Sequence, residues 1–267
     1  METVFLKLGG SIITDKTQPE HARADVIRRL AREVRAALDA RSDMRLVLGH
    51  GSGSFGHVVA KKHGTRDGVR DAAGWIGFAE VAASAARLNQ IVTDLFIEGH
   101  VPVISLPPSA SARCEDGRLV HLDTDGLLTH VRNGLVPLVH GDVALDAVRG
   151  ATIVSTEDVF AYLAGELEPD RVLLAGKVAG VYPNADMTGS VIPLITPSTV
   201  ERYAVALGGS HGIDVTGGMA AKVWQMIEWV RVHPRTSARI FSAAEAGTLE
   251  RALIDPQAPI GTEIRAG

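Results

Sequence analysis

GHGSGSFGH, residues 49–57, holds four glycines, two serines and two histidines in nine positions. It follows the apolar run Leu46-Val47-Leu48, which reads as a strand. A chain that leaves a strand through so many glycines uses their backbone freedom in one of two ways. Glycine admits the positive φ of a tight turn. It also lets backbone N–H groups approach an anion, most often a phosphate. This loop alone leaves both readings open.

Outward from it, apolar runs of strand type alternate with stretches of helical period. TVFLKL (3–8), MRLVLG (44–49), VPVISL (101–106), LVPLVHG (135–141), ATIVS (151–155), RVLLAG (171–176) and ARIFSA (238–243) read as strands. Helical spacing covers 24–40, 73–98, 124–133, 156–167, 198–207, 219–232 and 244–253. Residues 9–16 read as a loop and 61–71 as a polar stretch, while 112–120 read as a hairpin turning at Asp116-Gly117. This alternation implies right-handed βαβ units, hence an α/β fold with a mostly parallel sheet. We expect two lobes on one continuous sheet, divided near residues 145–150.

Composition narrows the class. With 267 residues, 46% of them apolar, the chain can bury a large core. Lys+Arg of 27 against Asp+Glu of 31 gives a net charge of −4, which offers nucleic acid no basic surface. One cysteine, Cys114, excludes a disulfide framework and a cysteine-based zinc site, and points to reducing cytosol. METVFLKLGG has no signal-peptide apolar segment. No run approaches the roughly 20 apolar residues that span a bilayer, so a cytoplasmic protein without membrane contact is expected.

In an open α/β sheet, ligands bind beyond the carboxyl ends of the strands. Glycine-rich turns at 9–11, 49–56 and 208–218 stand at such places, the third opening a helix. Together they suggest a ligand with several phosphates, or a phosphate donor facing a phosphate acceptor. Lysines lie near all three. Lys7 interrupts an otherwise apolar strand, which is costly without an anionic partner unless that face is exposed. Lys16 ends the first loop, where an ordinary surface lysine is the alternative. Lys222 sits one turn into the helix after DVTGG, where a solvated face is the alternative. His57 closes the second loop; His50 reads as structural. The chain lacks G-x-x-x-x-G-K-[ST], H-E-x-x-H and G-x-S-x-G. The G-x-G of the second loop lacks a dinucleotide-binding context, because the segment after it is polar and no acidic residue ends the next strand.

In chain order, LKLGGSIITDK, GHGSGSFGH, VHGDV, IDVTGGMAAK and the closing GTEI resemble the amino acid kinase superfamily, and ITDK with SFGH resembles its isopentenyl phosphate kinase branch. The resemblance runs from Lys7 to Ile264. It implies a three-layer αβα sandwich, a single domain of residues 1–267, and a homodimer. An acceptor-binding lobe would cover 1–148 and a nucleotide-binding lobe 149–267. The implied reaction is transfer of a phosphoryl group from ATP, with Mg²⁺, to isopentenyl phosphate. By motif position, Lys7, Lys16 and Lys222 would meet the transferred group and the ATP phosphates. Gly9, Gly10 and Ser11 would line the phosphate path, and Asp142 would orient the lysines. Gly51, Ser52, Gly53, Gly56 and His57 would hold the acceptor phosphate. Asp214, Thr216, Gly217 and Gly218 would lie by the nucleotide, and no protein metal ligand is expected. Phe78 and Ala82 on the long helix would wall the acceptor tail, although such stripes also serve as plain core.

The chemistry of the residues fits independently. A phosphate acceptor already carries an ionised oxygen near neutral pH, so it needs no strong base. It needs donors that hold two mutually repelling anions together. Some positions depart from the family. Gly176-Lys177-Val178-Ala179-Gly180 stands where Thr-Asp-x-Asp-Gly is usual, and Lys177 resembles a lysine of uridylate kinases that could touch donor phosphates. Ser52 replaces a glycine, and Thr156-Glu157 stand where Gly-Asp is common. Fosfomycin kinase shares the histidine-ended loop, so another small phosphate or phosphonate remains an alternative acceptor. A non-catalytic nucleotide-binding protein on the same fold is the alternative from outside catalysis.

Overall fold

The first strand sets the layers. In the computed structural model, which describes residues 1–184, 186–203 and 218–267, β1 spans Glu2–Leu8. Its side chains alternate between faces. Val4, Leu6 and Leu8 enter one core, while Phe5 enters a second. By the same alternation Lys7 points to the Phe5 side. The short α1 (Gly10–Ile13) and then α2 (Ala24–Ala40) follow, and β2 (Met44–His50) leads into α3 (Gly53–His63) and the long α4 (Ala72–Glu98). Next come β3 (Val103–Ser105), the hairpin β4 (Arg113–Glu115) and β5 (Arg118–His121), α5 (Asp125–Arg132) and β6 (Val136–His140). The hairpin turns at Asp116 and Gly117, both at positive φ. A second hairpin pairs β7 (Asp142–Asp146) with β8 (Gly150–Val154), followed by α6 (Thr156–Leu167) and β9 (Arg171–Gly176). The chain closes with β10 (Leu194–Ile195), α7 (Met219–Val232), β11 (Ser237–Ser242), α8 (Thr248–Ile254) and β12 (Thr262–Ile264).

Among the described residues these strands make two sheets. The main sheet has eight, in the order β10-β12-β11-β9-β1-β2-β6-β3, and every pair is parallel except β11 with β12. The smaller sheet runs β5-β4-β7-β8. One core packs α2, α4 and α8 against the main sheet, and the other packs α5, α6 and α7 on its opposite face. That is the mostly parallel sheet expected from the alternation, in the αβα sandwich that the resemblance implied. The stretch 145–150, expected at the lobe division, forms the β7–β8 turn of the smaller sheet.

Several local expectations are corrected. Residues 10–13 form a helical turn within the expected loop. The segment after GHGSGSFGH is a helix from Gly53 onward, although its opening Gly-Ser-Phe-Gly has poor helix propensity. Tertiary contacts override that propensity: Phe55 is buried, and the Ser54 N–H donates to Thr14 Oγ1 at 3.0 Å. β7, β10 and β12 were not foreseen as strands. Of the helix expected at 198–207, the described part is a 3₁₀ turn at Val200–Tyr203.

Candidate active site

The site forms where β1 and β2 end side by side. Their parallel register sets Lys7 against Gly49 and Leu8 against His50. Gly49 faces α6, where an added Cβ would lie 2.8 Å from Phe160 Cζ, so glycine lets the helix sit close to the sheet. Beyond the strand ends the two glycine loops interlock through their backbones. A Cβ on Gly10 would fall 2.6 Å from Gly53 Cα, and one on Gly51 would fall 2.9 Å from the Gly10 nitrogen. Gly53 has φ +52°, in the left-handed region that favours glycine. Thr14 ties the loops together: its hydroxyl donates to Gly10 O at 2.7 Å while accepting from Ser54 N–H. Gly9 N–H is spent on Ala175 O at 2.7 Å, and Gly51 N–H on Leu8 O at 3.0 Å. Among the described residues nothing accepts from the N–H groups of Gly10, Ser11, Ser52 or Gly53. The last two sit at the positive end of α3, whose first turn has no side-chain cap. Gly56 leaves room for Ser52, since a Cβ there would meet Ser52 Oγ at 2.8 Å.

Basic side chains from four elements converge on this end of the sheet. Lys7 comes from β1, Lys16 from the loop after α1, His57 from α3 and Lys222 from α7. Burial is the main cause that lowers the Lys222 ammonium from its ordinary range; the Lys7 and Lys16 charges add to it, and Glu157 opposes. His57 is lowered too, first by crowding against protein and then by the charges of Lys16, Arg66, Lys7 and Lys222. These mutual effects put Lys7, Lys16, His57 and Lys222 within electrostatic reach of one another. Like charges gathered in one site favour an anion between them.

Asp142 requires a correction. It was expected to orient the lysines, but it begins β7 and is 3% exposed, accepting from Ser109 N–H at 3.1 Å and from its neighbour Val143 N–H at 2.8 Å. Burial raises its carboxyl above the usual range. His140 lies beside it, with Nε2 at 3.6 Å. The carboxylate that meets Lys7 is Glu157, in the first turn of α6. Burial pushes Glu157 up, but the Lys7 charge and hydrogen bond outweigh it and hold the carboxyl below its ordinary value. The helix turn that presents Glu157 is fixed by a capping box between Ser155 and Asp158. Thr156, next to Glu157, donates its hydroxyl to His50 O at 2.7 Å and so ties α6 to the end of β2. The signal available in the sequence was an acidic residue opening a helix that buries one apolar face.

His50 lies inside, stacked on His140 with ring centroids 5.3 Å apart. Its Nδ1 faces Gly51 O at 3.3 Å and its Nε2 faces Asn89 Oδ1 at 3.2 Å. Burial holds His50 down to about 3 and His140 down to about 4, so both rings are neutral at physiological pH. Beneath the second loop His50 packs and hydrogen-bonds, while His140 packs against it with no hydrogen-bond partner for its Nδ1 among the described residues.

The remaining candidates lie further out. Phe78 and Ala82 are half-buried, one turn apart on α4, and Phe78 meets Trp75 edge to face. Lys177 is exposed just past the end of β9, in the strand next to β1. Gly218 is the uncapped N-terminal residue of α7. Asp214, Thr216 and Gly217 lie outside the described residues. Among those described, no group of three histidine, cysteine, aspartate or glutamate side chains could hold a metal ion, and no helix is long and apolar enough to cross a membrane.

Comparison with known proteins places this geometry. The amino acid kinase family pattern matches residues 2–242. An isopentenyl phosphate kinase of Methanocaldococcus jannaschii is 34% identical over 266 residues, covering 97% of each chain. That of Haloferax volcanii is 42% identical over 230 residues, covering 85% of this chain and 88% of its own. An X-ray structure of isopentenyl phosphate kinase superposes with a TM-score of 0.83 at 28% identity, over 98% of this chain and all of the other. A crystal structure of an isopentenyl phosphate kinase substrate complex gives 0.74 at 26% identity, with the same coverage. With the pattern and these relatives spanning nearly its whole length, the chain belongs to the amino acid kinase family and, within it, to the isopentenyl phosphate kinases.

Proposed function

We propose that this chain moves the terminal phosphoryl group of ATP onto isopentenyl phosphate, giving isopentenyl diphosphate and ADP. The observation that carries the reading is the pair of interlocked glycine loops. Among the described residues four of their N–H groups have no acceptor, and Lys7, Lys16, His57 and Lys222 lie at the same end of the sheet. An acceptor oxygen forms a bond to the terminal phosphorus of ATP as the bond to the bridging oxygen of ADP breaks. That acceptor oxygen is already ionised near neutral pH, so no base has to remove a proton. The obstacle is repulsion. Two unit negative charges 4 Å apart repel by about 4 kcal/mol at an effective dielectric of 20. Backbone N–H groups and lysines offset that cost in place, before reaction.

In this reading Gly51, Ser52, Gly53, Gly56 and His57 hold the acceptor phosphate, and Phe78 and Ala82 wall its tail. Lys7 and Lys16 meet the transferred group, with Gly9, Gly10 and Ser11 along its path. Lys222, Lys177 and Gly218 face the ATP phosphates, with Asp214, Thr216 and Gly217 completing the nucleotide side. ATP enters as its magnesium complex, whose ligands are chiefly phosphate oxygens and water. The same proposal takes residues 1–148 as the acceptor lobe and 149–267 as the nucleotide lobe. It carries a homodimer on family resemblance, and a cytoplasmic setting on the single Cys114, whose thiol burial pushes up to about 11.

The test is incubation of purified protein with Mg-ATP and, separately, isopentenyl phosphate, dimethylallyl phosphate, isopentenol and fosfomycin. ADP and phosphorylated product are followed by mass. A diphosphate from isopentenyl phosphate, with isopentenol inert, is expected. Turnover of fosfomycin alone, or no ADP with any acceptor, would overturn the reading.

A further inference from the structure

The loop that carries Lys16 is a strap with one side-chain anchor on α4. The chain leaves at Thr14 and returns at Ala22, which pair as an antiparallel bridge. The base is closed by Asp15 N–H donating to His21 O at 2.9 Å and Arg23 N–H to Ile13 O at 2.8 Å. Residues 16–21 are exposed. Within the strap, Asp15 Oδ1 accepts from the N–H and hydroxyl of Thr17, at 2.9 and 2.7 Å. Glu20 faces the other way. Its Oε1 accepts from Ser84 Oγ at 2.7 Å, its Oε2 from Arg87 Nε at 2.9 Å, and its Oε1 also meets Arg87 Nη2. The N–H groups of Glu20 and His21 reach Ser54 O and Oγ, at 3.4 and 3.3 Å, in the first turn of α3. One glutamate therefore stands where the strap, the acceptor loop and the α4 wall meet.

We propose that Glu20 is a positioning residue for Lys16, latching the strap onto α4 and so fixing where the lysine enters the space between donor and acceptor. This rests on the phosphotransfer reading above. Two features make the latch reversible. Glu20 sits at φ +49°, a strained conformation that its bonds must offset. Its partner Arg87 is 52% exposed, so the ion pair offsets only part of that strain. Ser84 has one hydroxyl proton and two acceptors, Glu20 Oε1 and Phe55 O at 2.8 Å. When Glu20 lifts, the buried Ser84 keeps a partner, and nothing inside is left unpaired.

The test is a double-mutant cycle of Glu20→Ala and Lys16→Ala, with kcat measured at saturating Mg-ATP and isopentenyl phosphate. Misplacing Lys16 should lower kcat about 10- to 100-fold in Glu20→Ala. In the Lys16→Ala background the same change should alter kcat by less than about 2-fold, because the group it positions is gone. Tryptic cleavage after Lys16 should quicken about 10-fold in Glu20→Ala while circular dichroism stays unchanged. Equal losses in both backgrounds, or an unchanged cleavage rate, would overturn the latch and leave the role of Lys16 standing. If Lys16→Ala itself leaves kcat unchanged, the role of Lys16 fails and the proposal fails with it.

Discussion

Replacing Glu157 by glutamine removes a charge while keeping the shape, so it isolates what the Lys7–Glu157 pair does. Both side chains are inside, 12% and 7% exposed, and the Lys7 charge also acts on Lys222 and His57. Without the carboxylate, Lys7 loses the counter-charge that the pair supplies. Breaking a buried pair by removing one partner costs about 3–5 kcal/mol. The ceiling is the cost of any lysine shedding its proton at neutral pH, about 4–5 kcal/mol. The glutamine carbonyl still accepts one hydrogen bond, which puts the expected loss at the lower end, about 3 kcal/mol. For a chain of this length that lowers the melting temperature by about 6–12 °C.

Activity should fall with stability, because the proposed reaction assigns Lys7 to the transferred group. A displacement of about 1 Å is worth about 100-fold in kcat. Mg-ATP gives Lys7 a new anion and should restore more stability to the variant than to the wild type. The pH dependence has a definite sign. The Glu157 carboxyl is held below its ordinary 4.5, so its contribution is full above that pH and is lost as pH falls through the folded value. The stability gap between wild type and variant should therefore close in acid. Thermal melts with and without Mg-ATP, beside steady-state kinetics, read all of this. A melting temperature within about 2 °C of wild type, with kcat unchanged, would mean that something else holds Lys7.

Two glycines at similar positive φ separate conformation from space. Gly64 has φ +60° with nothing near a new Cβ, so Gly64→Ala should cost about 1–2 kcal/mol in urea unfolding. Gly53 has φ +52° with Thr14 Cγ2 2.6 Å from the new Cβ, so Gly53→Ala should cost about 1–3 kcal/mol more and raise the acceptor KM; equal costs would refute the interlocked loops. His57 is held below its ordinary value by crowding and by neighbouring cations. A bound acceptor phosphate should raise it, with proton uptake. Histidine resonances followed by NMR through a pH titration with and without isopentenyl phosphate check this, and an unmoved titration would place His57 away from the acceptor.

The parts of the fold legible in the sequence are those where one local pattern decides. Helices 24–40, 156–167 and 219–232 and the strand 171–176 have the bounds their periodicity gives, because each buries a continuous apolar face. Residues 53–63 were missed as a helix because Gly53, Ser54 and Gly56 disfavour one locally, and only contacts with Thr14 and the core hold it. Asp142 and Glu157 show the same limit at the site. Both stand near the ends of apolar strands, and spacing cannot tell which faces Lys7. The answer depends on the parity of β1 and on the face that α6 covers, which are properties of the assembled sheet.

That assembly also explains why the lysines are unequal. Lys7 is fixed by strand register, between Gly49 of β2 and Leu174 of β9, with a buried carboxylate beside it. Lys16 rides an exposed strap, and Lys222 stands near the start of a helix. A site that must bring two anions together needs one charge that does not move, as the reference for the others. It also needs charges that can withdraw while ligands enter and leave. A sheet interior can supply the first only if the lysine is neutralised there, because an unpaired buried ammonium would unfold the strand sooner than hold a phosphate. On the proposed reaction Glu157 therefore serves the catalytic arrangement as much as stability: it holds the Lys7 charge at the end of β1 until phosphate oxygens share it.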